Sequence, residues 1–122
     1  MRTLVLTATL IILAACKPSG SKRLEGHWRG IRAEGVDPGA QSSATAFATS
    51  TEIIAQGNQI AIQTQAGRSP TATYFVDRDE GTTLVIHTDR DPATETFTFS
   101  EKADQMVWRI DQSHTITFRR VP

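Results

Sequence analysis

A single cysteine, Cys16, stands in a chain of 122 residues, so no internal disulfide can brace the fold. Charge of one sign is equally missing: 13 Lys and Arg face 13 Asp and Glu, with no block of like charge. That balance argues against nucleic acid as a partner, because such a partner calls for a basic face. No apolar run is long. The greasiest stretch, Leu4–Ala15, falls short of the roughly 20 residues a helix needs to cross a hydrocarbon core. Nor does an amphipathic pattern of period 3.6 persist, which argues against a helical bundle. His27, His87 and His114 contain no close pair of the His-x-x-x-His kind, so no metal centre is expected, and no cofactor motif is present.

What stands at the start is a targeting pattern. Met1 and Arg2 supply a short positive segment, Leu4–Ala15 an apolar one, and Ala14 and Ala15 the small residues of a cleavage site. Leu13-Ala14-Ala15-Cys16 resembles the lipobox of bacterial lipoproteins at each of its positions. The resemblance implies a diacylglycerol on the Cys16 sulfur, cleavage before Cys16 and acylation of the new amino terminus with a chain such as palmitate. This reading accounts for a lone thiol in an oxidising envelope, where a free one would be a liability. One acyl chain holds a protein to a membrane marginally and two or more hold it stably. The chain then divides into a signal peptide at 1–15, an acylated Cys and flexible Ser/Gly/Pro/Lys tether at 16–23, and a folded domain at 24–122. Lys17, in place of Asp, implies by the same resemblance the outer membrane of the bacterial cell envelope, facing the periplasm.

Within the domain, strand follows strand. "QIAIQTQ" (59–65) alternates apolar and polar strictly, and "ETFTFSE" (95–101) puts Phe97 and Phe99 on one side. Met106, Trp108 and Ile110 share a face, as do Ile116, Phe118 and Arg120. "HWRGIR", "TATYFVD" and "TTLVIHTD" are rich in β-branched and aromatic residues. "SSATAFATSTEIIA" reads as one long strand with Phe47, Thr49, Thr51 and Ile53 in register. Turn residues cluster at 56–58, 67–70, 77–81, 89–93, 101–104 and 111–113. The sum is all-β: a small eight-stranded antiparallel barrel or a sandwich, closed so that no strand edge is left exposed.

Two ends of the domain resemble the lipocalin signature. Gly26-His27-Trp28 matches the Gly-x-Trp of the first lipocalin strand, and "TITFRRV" is similar to the closing strand of small bacterial lipocalin-like domains. The resemblance implies an up-and-down barrel sealed at one end by an arginine over the tryptophan. Strand parity selects Arg120 for that role and turns Arg119 outward. The inward positions, from Trp28 and Phe47 through Val76 to Ile110 and Phe118, are bulky, which favours a filled interior with at most a small apolar pocket. Tyr74, Phe99 and Trp108 are expected at the ligand mouth, and the loop Ala33–Ser43 is expected to cover it.

Other groupings have plainer readings. Asp77-Arg78-Asp79-Glu80-Gly81 lacks the distal glutamate of a calcium loop and reads as a charged hairpin turn. Asp111, Ser113 and His114 carry the letters of a nucleophilic triad, but neighbours on one turn seldom point at each other as a relay requires. Lys22, Arg23, Arg119 and Arg120 gather at the tethered end, where acids on the adjoining turns would pair with them. No enzyme is expected. The leading reading is a lipid-anchored envelope lipoprotein that binds a small apolar ligand or presents a surface to another envelope protein. The alternative is a structural or assembly accessory with a solid barrel and a protein partner.

Overall fold

A computed structural model describes residues 20–122. The expected signal peptide, and Cys16 with it, lie outside the described residues. Among the described residues nine strands form: β1 (Gly26–Glu34), β2 (Glu52–Gln56), β3 (Gln59–Thr64), the two-residue β4 (Gly67–Arg68), β5 (Ala72–Glu80), β6 (Thr83–Thr88), β7 (Asp91–Phe99), β8 (Gln105–Arg109) and β9 (Thr115–Arg120). Each pairs antiparallel with its neighbours, and β1 pairs both β2 and β9, so all but β4 make a closed eight-stranded up-and-down barrel. Closure uses the two ends of the domain: Trp28 lies opposite Arg120 and Gly30 opposite Phe118. A bulge at Ile31 then resets the register, so that Ala33 lies opposite Ile116 and keeps its small side chain inward.

The core follows from the alternation. Trp28, Ile53, Leu84, Ile86, Met106 and Phe118 are fully buried, with Tyr74, Phe97, Phe99 and Ile116 nearly so. At one end, here called the closed end, lie the start of β1, the finish of β9 and the β2–β3, β5–β6 and β7–β8 turns. At the open end lie the finish of β1, the β3–β5 connection and the β6–β7 and β8–β9 turns.

The expected long strand through Phe47 does not exist. Residues Gln41–Thr49 form a helix, α1, entered through a 3-10 turn at Pro38–Ala40, and only Glu52–Gln56 is strand. The expected loop Ala33–Ser43 is correspondingly folded: Ala33 and Glu34 belong to β1, and Gln41–Ser43 open α1. α1 lies beside the upper half of β1, which the short β2 leaves unpaired. There Gly30 N–H donates to Thr51 O (2.9 Å) and Gln41 Nε2 to Ala33 O (3.1 Å). A Cβ at Gly30 would fall 2.0 Å from Ala48 O, so the helix seats only because that residue has none. Ala48 is buried and Ala44 packs on the core, one helical turn apart on the same face.

Three of the expected core residues are exposed instead. Phe47 points out from α1, and Ile110 lies beyond the last residue of β8. Val76 keeps the parity of Tyr74 and lies opposite the buried Ile86, but β5 has by then run past the last pair it shares with β3, so no paired strand covers its other side. Asp77–Glu80 is strand rather than turn because, after a bulge at Asp77, β6 pairs Arg78, Asp79 and Glu80 with Val85, Leu84 and Thr83, so the β5–β6 turn narrows to Gly81 and Thr82.

Candidate functional site

The closed end is built around Trp28. Its Nε1–H donates to Leu24 O (2.8 Å), and the Arg120 guanidinium lies 4.1 Å above its ring. Arg120 also donates to Arg23 O (2.9 Å), to Ala103 O (3.1 and 3.2 Å) and to Glu25 O. Gly26, at φ +133°, leaves the space this requires, because a Cβ there would sit 2.5 Å from an Arg120 nitrogen. That contact gives the glycine of Gly-x-Trp a physical reason. Arg119 is exposed.

The expected tether is anchored over its described part. Ser21 is buried, and its N–H donates to the Tyr74 hydroxyl (2.7 Å), which in turn donates to Gly57 O (2.9 Å). Burial pushes the Tyr74 hydroxyl above its usual pKa. Arg23 pairs with Asp79, donates to Gly81 O (2.6 Å) and lies 5.0 Å over Phe99. Gly20 and Ser21, ahead of Leu24, thus pack on the barrel. Asp79, one of the calcium-loop letters, is occupied by this arginine, and Asp77 by His87 at 2.7 Å.

Tyr74 and Phe99 thus belong to the closed end and do not line a mouth, whereas Trp108 does. It borders an apolar cavity of about 320 Å³ inside the open end of the barrel, walled by Ile60, Ile62, Ala72, Ile86 and Phe97. The indole is held by its Nε1–H donating to Glu95 Oε1 (2.8 Å) and by Phe97, stacked at 6.3 Å. Ser69, Arg90, Asp91 and Glu95 give the rim its polar groups. Parity along β7 and β8 made Trp108 legible as inward. Tyr74 and Phe99 share that inward parity, which says nothing about which end of the barrel a residue occupies.

A second hollow, of about 310 Å³, lies between α1 and the β8–β9 turn. Sequence reasoning missed it, because it depends on a helix read as a strand. Here Asp111 caps its own turn by accepting the N–H groups of Ser113 and His114, both at 2.9 Å. These bonds, the Ser113 one first, together with the His114 side chain, hold the Asp111 carboxyl down to about 2. His114 Nδ1 lies 2.7 Å from Asp111 Oδ1 and 3.2 Å from Ser113 Oγ. A relay needs carboxylate and nucleophile on opposite ring nitrogens; here both meet Nδ1, so the three do not form one. His27 pairs with Glu52 on the outer wall. Among the described residues no group of three or more His, Cys, Asp or Glu side chains converges as a metal site, and no helix is long and apolar enough to cross a membrane. Comparison with family models and with curated proteins returns no match.

Proposed function

We propose that the protein is a lipid-anchored bacterial envelope lipoprotein, held at Cys16 in the outer membrane, whose lipocalin-like barrel binds a small apolar ligand at its open end. The observation that carries this reading is the apolar cavity of about 320 Å³ bordered by Trp108, Ile86 and Phe97. Its volume falls at the small end of the range for ligand sites, and its walls are apolar with a few polar groups at the rim, as such sites require. The lipobox supports the anchor, and the bulky closed end supports a ligand confined to one half of the barrel.

Two experiments test it. A fluorescent fatty-acid probe should bind saturably and quench Trp108, and Ala72→Leu, which extends a larger side chain into the cavity, should weaken binding while the barrel stays folded. Cys16→Ser should abolish incorporation of labelled palmitate and release the protein from membranes; unchanged membrane retention would remove the anchor from the proposal. Absence of saturable probe binding would shift the reading to an assembly accessory with a protein partner. For that alternative Phe75, exposed on the outer face of β5 and stacked on His87, supplies an apolar contact.

A further inference from the structure

The hollow between α1 and the β8–β9 turn shares no lining residue with the barrel cavity. Its walls are Val36, Ala44, Phe47, Ile110 and Ile116. Phe47 is 42% exposed and Ile110 46%, so two large apolar side chains stand on one cleft without being covered by the fold. The cleft is preformed. At Gly35 a Cβ would fall 1.6 Å from Ser113 O, so the end of β1 presses directly on the β8–β9 turn. Gln41 ties the start of α1 to Ala33, and Asp111 braces the turn from inside.

The polar lining has one chemical character. It consists of Glu34, Asp111, His114 and Thr115, and none of the described lining residues is Lys or Arg. Glu34 has a partner, Arg32 at 3.5 Å, which is not itself a lining residue. Because the Asp111 carboxylate is an acceptor only, His114 Nδ1 must carry the proton between them. Whenever the ring is neutral, Nε2 is therefore its acceptor, and it meets no donor among the described residues. Apart from Glu34, which Arg32 partners, these acceptors have no Lys or Arg among the lining, so they suit a donor and repel a carboxylate.

We propose that this cleft is a second binding site, for a small apolar molecule carrying a hydrogen-bond-donating head, an alcohol or an amine, which His114 and the neighbouring carboxylates receive. The site is independent of the lipid anchor and of the barrel cavity. Titrating the isotope-labelled purified protein with 2-naphthalenemethanol, 2-naphthalenemethylamine and 2-naphthoic acid, followed by NMR, tests it. The alcohol or the amine should saturate with shifts at His114, Phe47 and Ile110 and none at the Trp108 indole, and the acid should bind at least about tenfold more weakly, the worth of one good hydrogen bond. Alcohol alone would identify a neutral donor, amine alone a cationic one. His114→Phe should cost the donor ligand about tenfold and leave naphthalene, which has no head group, unaffected. Equal or tighter binding of the acid, shifts at Trp108 in place of His114, or no saturation by any of the three would overturn the proposal.

Discussion

Arg120 reaches the carbonyls of Arg23, Glu25 and Ala103 while lying over Trp28, so one side chain joins the entry of β1, the β7–β8 turn and the end of β9. Charge-assisted bonds to carbonyls and a partly desolvated cation–π contact together put the cost of Arg120→Ala at about 2–3 kcal/mol. Arg119, exposed on the next position, should lose no more than about 0.5 kcal/mol on the same change. Chemical denaturation of both variants measures the difference, and a larger loss at Arg119 would reverse the assignment of the seal. Asp111 makes a different kind of prediction. Its carboxyl drops from 3.8 to about 2 in the folded chain, so it contributes stability that is fully present above 3.8 and is lost as pH falls towards 2. Asp111→Asn still offers an oxygen to the Ser113 and His114 N–H groups but no longer titrates. Its thermal midpoint should therefore fall less steeply than that of the parent protein across this acid range. Parallel curves for the two proteins would mean that Asp111 does not couple to folding.

At the scale of elements, the strands were legible and the helix was not, for reasons that particular residues make plain. In β3 Ile60 and Ile62, and in β7 Phe97 and Phe99, pack on the core, so there the period of two read in the sequence survives into the structure. α1 shows none of the usual terminal signals. Its N-cap Ala40 offers no side-chain bond, its first turn has no acid and its last turn no base. Phe47, Thr49, Thr51 and Ile53 supply a false alternation, while the true helical period rests on the small Ala44 and Ala48. Pro38, at the first turn of the 3-10 segment, was the available sign of a helix start. The cleft went unread with the helix, whereas the barrel cavity could be read through Trp108, which sits on a regular strand. Because α1 is held chiefly by close contact with β1, Gly30→Ala should expel it: the new Cβ meets the Ala48 carbonyl, which is backbone and can yield only if the helix moves. Overpacking of this kind costs about 1–3 kcal/mol. Amide exchange should accelerate in Gln41–Thr51 well before it does in β5 to β8, and uniform protection would show that α1 and barrel form one inseparable unit.

For the whole molecule, the closed and open ends acquire opposite surroundings once Cys16 is acylated, as proposed. Gly20 packs against the Gly57 carbonyl and the Tyr74 hydroxyl, at the closed end. Only Lys17, Pro18 and Ser19 separate it from Cys16, a reach of at most about 14 Å at roughly 3.5 Å per residue. An anchor that short, tied to a strap bonded through Ser21 and Arg23, sets the closed end against the lipid and turns both cavities away from it. Ligand would then arrive from the aqueous side and not from the bilayer that holds the protein. Headgroup charge has little part in this orientation, since Glu25, Asp79, Glu80, Glu101 and Asp104 at the closed end offset Lys22, Arg23, Lys102, Arg119 and Arg120. Fluorophores placed by Lys102→Cys, in the closed-end β7–β8 turn, and Arg90→Cys, in the open-end β6–β7 turn, report the two ends. In vesicles with a quencher on the headgroup, the label at 102 should be quenched more strongly than that at 90, equally in neutral and anionic lipid. Cys16→Ser in the same chains should remove quenching from both, which separates loss of the anchor from a wrong orientation. Stronger quenching at 90, or quenching that appears only with anionic lipid, would mean that surface charge and not the short strap decides which end meets the membrane.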